Sequence, residues 1–366
     1  MRMYIGIWEK KRADMIYLYN NISIFIYAFL IKHTYCKNKQ KKFLFICFLQ
    51  MSLIIGLRQN VGADYESYYK IYNYLNNIFS YKYTYYPVEK GYEIINILCG
   101  KLGIPYWGVN MIVAILTNIF IVLAIRQFNV NALLAIYLYI SFFFFYHSMN
   151  QTRQGLSMAI GLYAIAHLSK GRNIRFVSFV IFASLFHLSA LLYLVLLVLR
   201  KVPISKKIFF LYIIGVIAIL LGYNFIVSVL VYTKYGLYFG TFYDKQASVS
   251  TIINLIIRII ILVFVLLYFS KIKDSTEKNI LYHMSFLCTF FQILTVASST
   301  FGRITSLFFL GYIILIPRIV YSIKKNGKLL FQCYCGATLY QIIYYANMKA
   351  SVLVNDYKFI FNNLTN

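Results

Sequence analysis

The stretch KGRNIRFVSFVIFASLFHLSALLYLVLLVLRKVPISKK, residues 170–207, decides how this chain is threaded. Its apolar part, 174–199, is long enough to cross a membrane once, but Lys and Arg residues lie at both of its ends. Because basic loops stay on the cytoplasmic side, a single crossing would leave one basic cluster on the outer side. We therefore predict a re-entrant hairpin of two short helices, each of about 13 residues or roughly 20 Å, with its tip near Phe186 and His187.

The composition of the whole chain is that of a membrane protein. Of 366 residues 61% are hydrophobic, and a mean hydropathy of +0.69 is too high for a soluble fold. The apolar runs are continuous rather than alternating, which favours helices over a barrel. We predict an all-α polytopic bundle of about ten spans plus the hairpin. The candidate spans lie at roughly 15–31, 43–57, 107–125, 132–146, 154–169, 208–228, 251–269, 280–297, 304–323 and 329–346.

These spans form a single predicted transmembrane domain, residues 15–366. Residues 1–14 are polar and basic, and we expect them to be an extension that precedes a true start at Met15. The six cysteines are scattered along the chain and support neither a metal site nor a disulfide framework. The net charge of +26 comes mostly from short loops between apolar runs. This distribution follows the positive-inside rule and argues against nucleic acid as a partner.

The threading places both termini and two Tyr-rich loops, 58–106 and 229–250, on the outer side, with a short helix at 91–103 in the first loop. Several chemically active residues fall towards that side. They are Arg58, Asp64, Arg153, His187 and Arg303. Cations that converge on one face of a membrane protein indicate a site for a large anion, such as a lipid-linked pyrophosphate.

The segment GLRQNVGADYESYYKIY, residues 56–72, follows the second span. Arg58 is a candidate ligand for the anion, or a cation that neutralises the helix dipole or reaches the membrane surface. Gly62 permits a turn, and Asp64 is a rare acid in a chain with only 10 Asp and Glu. Aromatic faces and hydroxyls there suit sugar rings, or belong to an interfacial aromatic belt. These tyrosines are Tyr65, Tyr68 and Tyr69.

Two further segments place an arginine at the start of a helix. In FFFFYHSMNQTRQGLSMAIGLYA, residues 142–164, Asn150 or Thr152 can cap a helix whose first turn contains Arg153 and Gln154. The segment ASSTFGRITSLFF repeats this arrangement, with Ser299 or Thr300 as cap and Arg303 in the first turn. Free backbone N–H groups attract an anion at such a position, and arginine adds a bidentate donor for phosphate. The alternative for each arginine is an anchor at the membrane interface.

His187 lies at the predicted hairpin tip, in SLFHLSALLYL. It is a candidate general base, because imidazole has an unperturbed pKa of about 6.5. A buried, hydrogen-bonded structural histidine is the alternative. Arg258 lies in the middle of a span, where a charge faces protein or water. It either extends the cationic site or pairs with Asp244 or Asp356.

Together these segments resemble the EpsG family of bacterial exopolysaccharide proteins, which is related to the Wzy-type O-antigen and capsule polymerases. The resemblance covers roughly residues 15–320, and VNDYKFIF near the C-terminus is a weaker match. It depends on four elements in this order: LRQNVGADYESYY, NQTRQGLSMAIGLYA, SLFHLSALL and GRITSLFF.

The resemblance implies a GT-C-like glycosyltransferase of the bacterial cytoplasmic membrane that faces outward and joins undecaprenyl-pyrophosphate-linked repeat units. A hydroxyl of one unit would attack the anomeric carbon of the growing chain, and undecaprenyl pyrophosphate would leave. Arginines would replace a metal, and no cofactor is expected. Arg58, Arg153 and Arg303 would bind the pyrophosphate, and His187, or Asp64 as its rival, would be the base. The sugar contacts would come from Tyr65, Tyr68, Tyr69 and Gln154.

Other functions fit part of this pattern. A flippase for the same lipid-linked sugars needs a cationic cavity but no base, and it commonly shows paired repeats, which are not evident in this sequence. Another lipid-linked sugar transferase, such as a ligase, or an O-acyltransferase is a second alternative, and an O-acyltransferase would also use a histidine on a re-entrant element. Expected partners are membrane lipids, the lipid-linked oligosaccharides, a flippase and a chain-length regulator.

Overall fold

The computed structural model describes residues 2–33, 38–76, 88–230, 232, 248–323, 327–348 and 357–360. Nearly all of these residues are helical, as predicted. Contacts divide the chain into two compact units. The first comprises Met1–His167, Arg172–Leu192 and Phe331–Asn366, and the second comprises Leu168–Gly171 and Tyr193–Leu330.

The first unit begins with two long helices and a short strand. The elements are α1 (Arg2–Lys32), α2 (Lys39–Gly56), β1 (Arg58–Gln59), α3 (Tyr65–Leu75), α4 (Lys90–Lys101), α5 (Tyr106–Phe128), α6 (Ala132–Ser141), α7 (Phe144–Asn150), α8 (Thr152–Leu168) and α9 (Asn173–Ser184). The helix predicted at 91–103 is therefore present as α4. Helix α2 packs along α5, and Gln50 of α2 donates to Asn20 Oδ1 of α1 at 2.9 Å. Apolar faces and a few buried polar pairs hold these helices together.

The long apolar run at 174–199 is interrupted where the sequence predicts. Helix α9 ends at Ser184, residues 185–187 leave the helix, and a 3-10 helix, Leu188–Val195, leads into α10 (Leu196–Leu199). A helix of 12 residues rises only about 18 Å, so α9 alone cannot cross a hydrocarbon core of about 30 Å. The predicted break near Phe186 and His187 is confirmed, and the re-entrant path of the two arms stays a prediction.

The described part of the second unit contains six further α-helices after α10. They are α11 (Lys206–Leu221), α12 (Tyr223–Leu230), α13 (Val249–Leu267), α14 (Thr276–Leu294), α15 (Phe301–Phe309) and α16 (Tyr312–Ser322). Helix α14 packs against α13 and α15, and Tyr282 OH donates to Val265 O at 2.8 Å. The last elements of the described residues are α17 (Gly327–Met348) and a strand, β2 (Lys358–Phe359). Most of the predicted outer loop 229–250 lies outside the described residues.

Within the described residues, three helical stretches are long and apolar enough to cross a membrane: Tyr106–Phe128, Val249–Leu267 and Phe301–Ser322. Two bent pairs raise the number to 5 if each pair is one span. These pairs are Ala132–Ser141 with Phe144–Asn150, and Lys206–Leu221 with Tyr223–Val229. The prediction of ten spans thus exceeds what length and composition of the described helices support. Helices α2, α14 and α17 are 18, 19 and 22 residues long, so their composition rather than their length leaves them out.

Candidate functional site

The site in the first unit begins with the loop that follows α2. Strand β1 in this loop pairs antiparallel with β2, with Arg58 opposite Phe359. The turn predicted at Gly62 is present, because this glycine has a φ of +101°, which other residues adopt only with strain. The turn brings the loop against the end of α7, where Asp64 N donates to Asn150 Oδ1 at 2.9 Å.

Arg58 is buried completely beneath this loop. Its Nη1 donates to Ile55 O at 2.5 Å and its Nη2 donates to Thr152 Oγ1 at 3.2 Å. Thr152 is therefore the first residue of α8 and an acceptor for Arg58, rather than the cap before that helix. Asn150, the other candidate cap, accepts from the loop as well. In this geometry Arg58 ties the loop to the start of α8, and its pyrophosphate-binding role stays a prediction.

Arg153 lies in the first turn of α8, as predicted. Its Nη1 donates to Glu89 Oε2, and the two side chains are 22% and 19% exposed. The guanidinium carbon lies 5.6 Å from the centre of the Tyr68 ring, which is within the range of a cation–π contact. The guanidinium is thus held between a carboxylate and an aromatic face at the N-terminal end of a helix.

Glu89 is a member of this cluster that no sequence motif indicates. It directly precedes α4, and its Oε1 lies 3.4 Å from the backbone N of Leu188, just after the break in the apolar run. Gly91 N donates to Leu185 O at 2.8 Å, and a Cβ on Gly91 would lie 2.8 Å from that same oxygen. The scarcity of acids in this basic chain, 10 against 36 Lys and Arg, was the available signal for Glu89.

His187 is half-buried at the break. Its Nδ1 lies 2.7 Å from Ser189 Oγ, and its backbone oxygen accepts from Ser157 Oγ of α8 at 3.3 Å. The contacts of Glu89 with Leu188 and of Ser157 with His187 bring α4, α8 and the break together. Arg153, Glu89 and His187 therefore belong to one cluster within the first unit.

The tyrosines predicted to contact sugars differ in exposure. Tyr68 is 6% exposed and packs against the Tyr92 ring, with centroids 5.4 Å apart, whereas Tyr69 is 43% exposed. Tyr65 lies edge-on to Tyr106 at 5.3 Å. Burial raises the pKa of both Tyr65 and Tyr92, so these phenols stay protonated and can donate. Tyr69 has the most accessible ring of the three predicted residues.

Gln154 follows Arg153 in α8 and is buried, with 3% of its surface exposed. Asp64 is half-buried directly before α3. The described residues contain no group of three or more His, Cys, Asp and Glu that could hold a metal. The sugar-binding role of Gln154, the base role of Asp64 and the metal-free reaction stay predictions.

Arg303 belongs to the second unit. It lies in the first turn of α15, as predicted, but Thr300 forms no side-chain cap there, and Ser298 Oγ accepts from Thr300 N at 3.3 Å. The convergence of Arg303 with the arginines of the first unit stays a prediction. Arg258, also in this unit, lies with its guanidinium carbon 3.2 Å from the centre of the Phe309 ring. Its predicted partners, Asp244 and Asp356, lie outside the described residues.

These features define a helical membrane protein with a charged cluster built where helices begin and break. Residues 41–360 match the family model of the EpsG family, and the chain belongs to that family of Wzy-type polysaccharide polymerase-like membrane proteins. The match confirms the resemblance from residue 41 onward and includes the C-terminal strand, and residues 15–40 lie outside it. No curated protein and no solved structure matches the chain significantly.

Proposed function

We propose that this protein polymerises undecaprenyl-pyrophosphate-linked oligosaccharide repeat units into a surface polysaccharide, on the outer side of the bacterial cytoplasmic membrane. Family membership supports a glycosyltransferase-like polymerase. The observation that carries the proposal is the position of Arg153, in the first turn of α8 beside the break that contains His187. A lipid-linked pyrophosphate leaving group needs a cation at such a place.

The proposed reaction transfers the growing chain to a new repeat unit. A hydroxyl oxygen of the acceptor forms a bond to the anomeric carbon of the donor while the bond from that carbon to the pyrophosphate oxygen breaks. The hydroxyl proton passes to His187, with Asp64 as the alternative base. The bonding electrons go to the pyrophosphate, where Arg153 and the positive N-terminal end of the α8 dipole stabilise the added charge.

The three arginines have different parts in this proposal. Arg153 contacts the pyrophosphate directly, and Arg303 keeps the role of a pyrophosphate ligand that the sequence predicts for it. Arg58 is buried against Ile55 and Thr152, so its contribution is to hold the start of α8 in position. Tyr69, which is exposed, is the best placed of the predicted tyrosines to stack against a sugar ring.

Replacement of Arg153 tests the proposal most directly. We expect Arg153→Ala to lower polymerisation by about 10²–10³-fold, as the loss of a charge-stabilising donor does in other enzymes. Polymerisation is measured with purified lipid-linked repeat units and by gel analysis of the surface glycan. Arg172→Ala is the matched control, because this exposed arginine lies outside the cluster. Glycan of normal chain length in the Arg153→Ala strain would contradict the assigned role.

Gene deletion separates the polymerase from its rivals. Loss of the polymerase leaves single repeat units on the outer surface, whereas loss of a flippase keeps the lipid-linked units inside. Loss of a ligase leaves long chains on the lipid carrier, and loss of an acyltransferase changes only the acyl content of the glycan. We expect the first of these outcomes. A flippase and a chain-length regulator would be the protein partners of the polymerase.

A further inference from the structure

The Glu89 carboxylate contacts the two kinds of hydrogen-bond donor that would bind a diphosphate in the proposed site. One carboxylate oxygen, Oε2, accepts from the Arg153 guanidinium, and the other, Oε1, lies 3.4 Å from the backbone N of Leu188. Guanidinium and backbone N–H groups are also common donors to phosphate oxygens. The carboxylate of Glu89 therefore stands where the oxygens of an anionic ligand would be expected.

The start of α4 has a second attachment to the break that does not involve the Glu89 side chain. Gly91 N donates to Leu185 O at 2.8 Å, and the close fit leaves no room for a Cβ at Gly91. This backbone contact would keep α4 in place after the carboxylate left Arg153. The Glu89 side chain can thus exchange its partners without undocking the helix.

We propose that Glu89 is the internal counter-ion of the diphosphate site. Its carboxylate holds the Arg153 guanidinium in position before substrate binds, and it releases the guanidinium to the diphosphate of the lipid carrier. This inference rests on the proposed function of Arg153 as the pyrophosphate ligand. Release of the product reverses the exchange, because the carboxylate returns to Arg153 as the diphosphate leaves.

A counter-ion and a structural tie predict opposite effects of Glu89→Gln. Glutamine keeps the size of glutamate and an oxygen acceptor but removes the charge. If Glu89 only tied Arg153 in place, the variant would bind a diphosphate more weakly. If Glu89 competes with the diphosphate, the variant binds more tightly. If the Glu89–Arg153 ion pair is formed in about nine of ten free protein molecules, only about one in ten can bind the diphosphate. The apparent affinity for the diphosphate is then about tenfold weaker than the intrinsic affinity.

The test is binding of farnesyl diphosphate to the purified full-length protein in lipid nanodiscs, measured by calorimetry. We expect Glu89→Gln to bind about tenfold more tightly than the native protein, and Arg153→Ala to bind more weakly. Glu93→Gln is the matched control and should bind as the native protein does, because Glu93 pairs with Lys90 on the same helix at 2.8 Å. Thermal unfolding of each variant checks that it is folded.

Two results together would overturn the counter-ion role and leave the proposed function intact. Glu89→Gln would bind no more tightly than the native protein, and Arg153→Ala would bind more weakly. Unchanged binding in Arg153→Ala would overturn the pyrophosphate site itself, and the counter-ion with it. If Glu89→Gln does not fold, Glu89→Asp decides. Its shorter carboxylate should raise the affinity less than glutamine would, and an affinity no higher than native contradicts the proposal.

Discussion

At the scale of single residues, Gly62 shapes the loop that covers Arg58. Its φ of +101° is accessible to glycine, and a Cβ at this position would lie 2.9 Å from Met149 O. The residue type alone was enough to predict a turn. The contact with Met149 could not be predicted, because it joins residues that are far apart in the sequence and meet only in the tertiary fold.

Replacement of Gly62 by alanine should destabilise the protein through both effects. A left-handed backbone costs a non-glycine residue about 1–2 kcal/mol, and the contact with Met149 adds to that cost. Gly103→Ala is the matched control, because Gly103 has a φ of +67° and no atom within 4 Å of an added Cβ. We expect the larger loss of unfolding free energy for Gly62→Ala in denaturant titrations. Equal losses would show that the Met149 contact carries no cost.

The charged residues show where prediction from sequence reaches its limit. Arg153 was correctly placed in a first helical turn, because turn-forming residues precede it and an apolar run follows it. Its partner Glu89 was not found, since the ion pair spans 64 residues and forms only in the tertiary fold. Arg58 was expected to be accessible to an anion, but its donors are turned towards Ile55 and Thr152 inside the protein.

At the scale of elements, strand β2 pairs with β1 in the loop after α2 and bonds to the end of that helix. Ile360 N donates to Leu57 O at 3.0 Å, Tyr357 OH donates to Ile54 O, and Lys358 pairs with Gln59. The bonds to Leu57 O and Ile54 O satisfy carbonyl groups at the end of α2 that have no partner within the helix. Two-residue strands have no detectable period, so the sequence could not reveal this pairing.

Truncation after residue 356 should therefore impair the site. Each backbone hydrogen bond lost costs about 0.5–1.5 kcal/mol, and the loop above Arg58 loses its neighbouring strand. We expect reduced polymerisation and a lower unfolding temperature, measured on the purified protein. Truncation after residue 360, where the family match ends, is the control and should retain both. A fully active protein without residues 357–366 would show that β2 does not position the loop.

The break at 185–187 is the element-scale feature that sequence predicted best. Basic residues at both ends of one apolar run predicted a hairpin that keeps both ends on the same side, and residues 185–187 lie at the middle of that run. The 3-10 conformation of Leu188–Val195 was not predicted. Hydrophobic pattern reports burial, and it does not distinguish a 3-10 from an α-helical turn in so apolar a segment.

At the scale of the whole molecule, the number of spans was the least predictable quantity. An apolar run in the sequence shows that a segment avoids water, but it does not show that one straight helix crosses the membrane. Residues 132–150 illustrate the difference, because this apolar stretch is bent by 48° between α6 and α7. Phe143 lies at the bend with a φ of 65°, which its residue type would not suggest.

The predicted orientation can be tested by labelling engineered cysteines with a membrane-impermeant maleimide, after the six native cysteines are replaced by alanine. Lys201→Cys lies in the basic segment that the positive-inside rule assigns to the cytoplasm, and it should be labelled only after permeabilisation. Glu66→Cys lies in α3, with its native side chain 66% exposed, and should be labelled in intact cells.

Labelling of Lys201→Cys in intact cells would mean that 174–199 crosses as one span. Every later segment would then reverse its orientation, and the start of α15 with Arg303 would face the cytoplasm. That result would contradict the predicted role of Arg303 as a pyrophosphate ligand on the outer side.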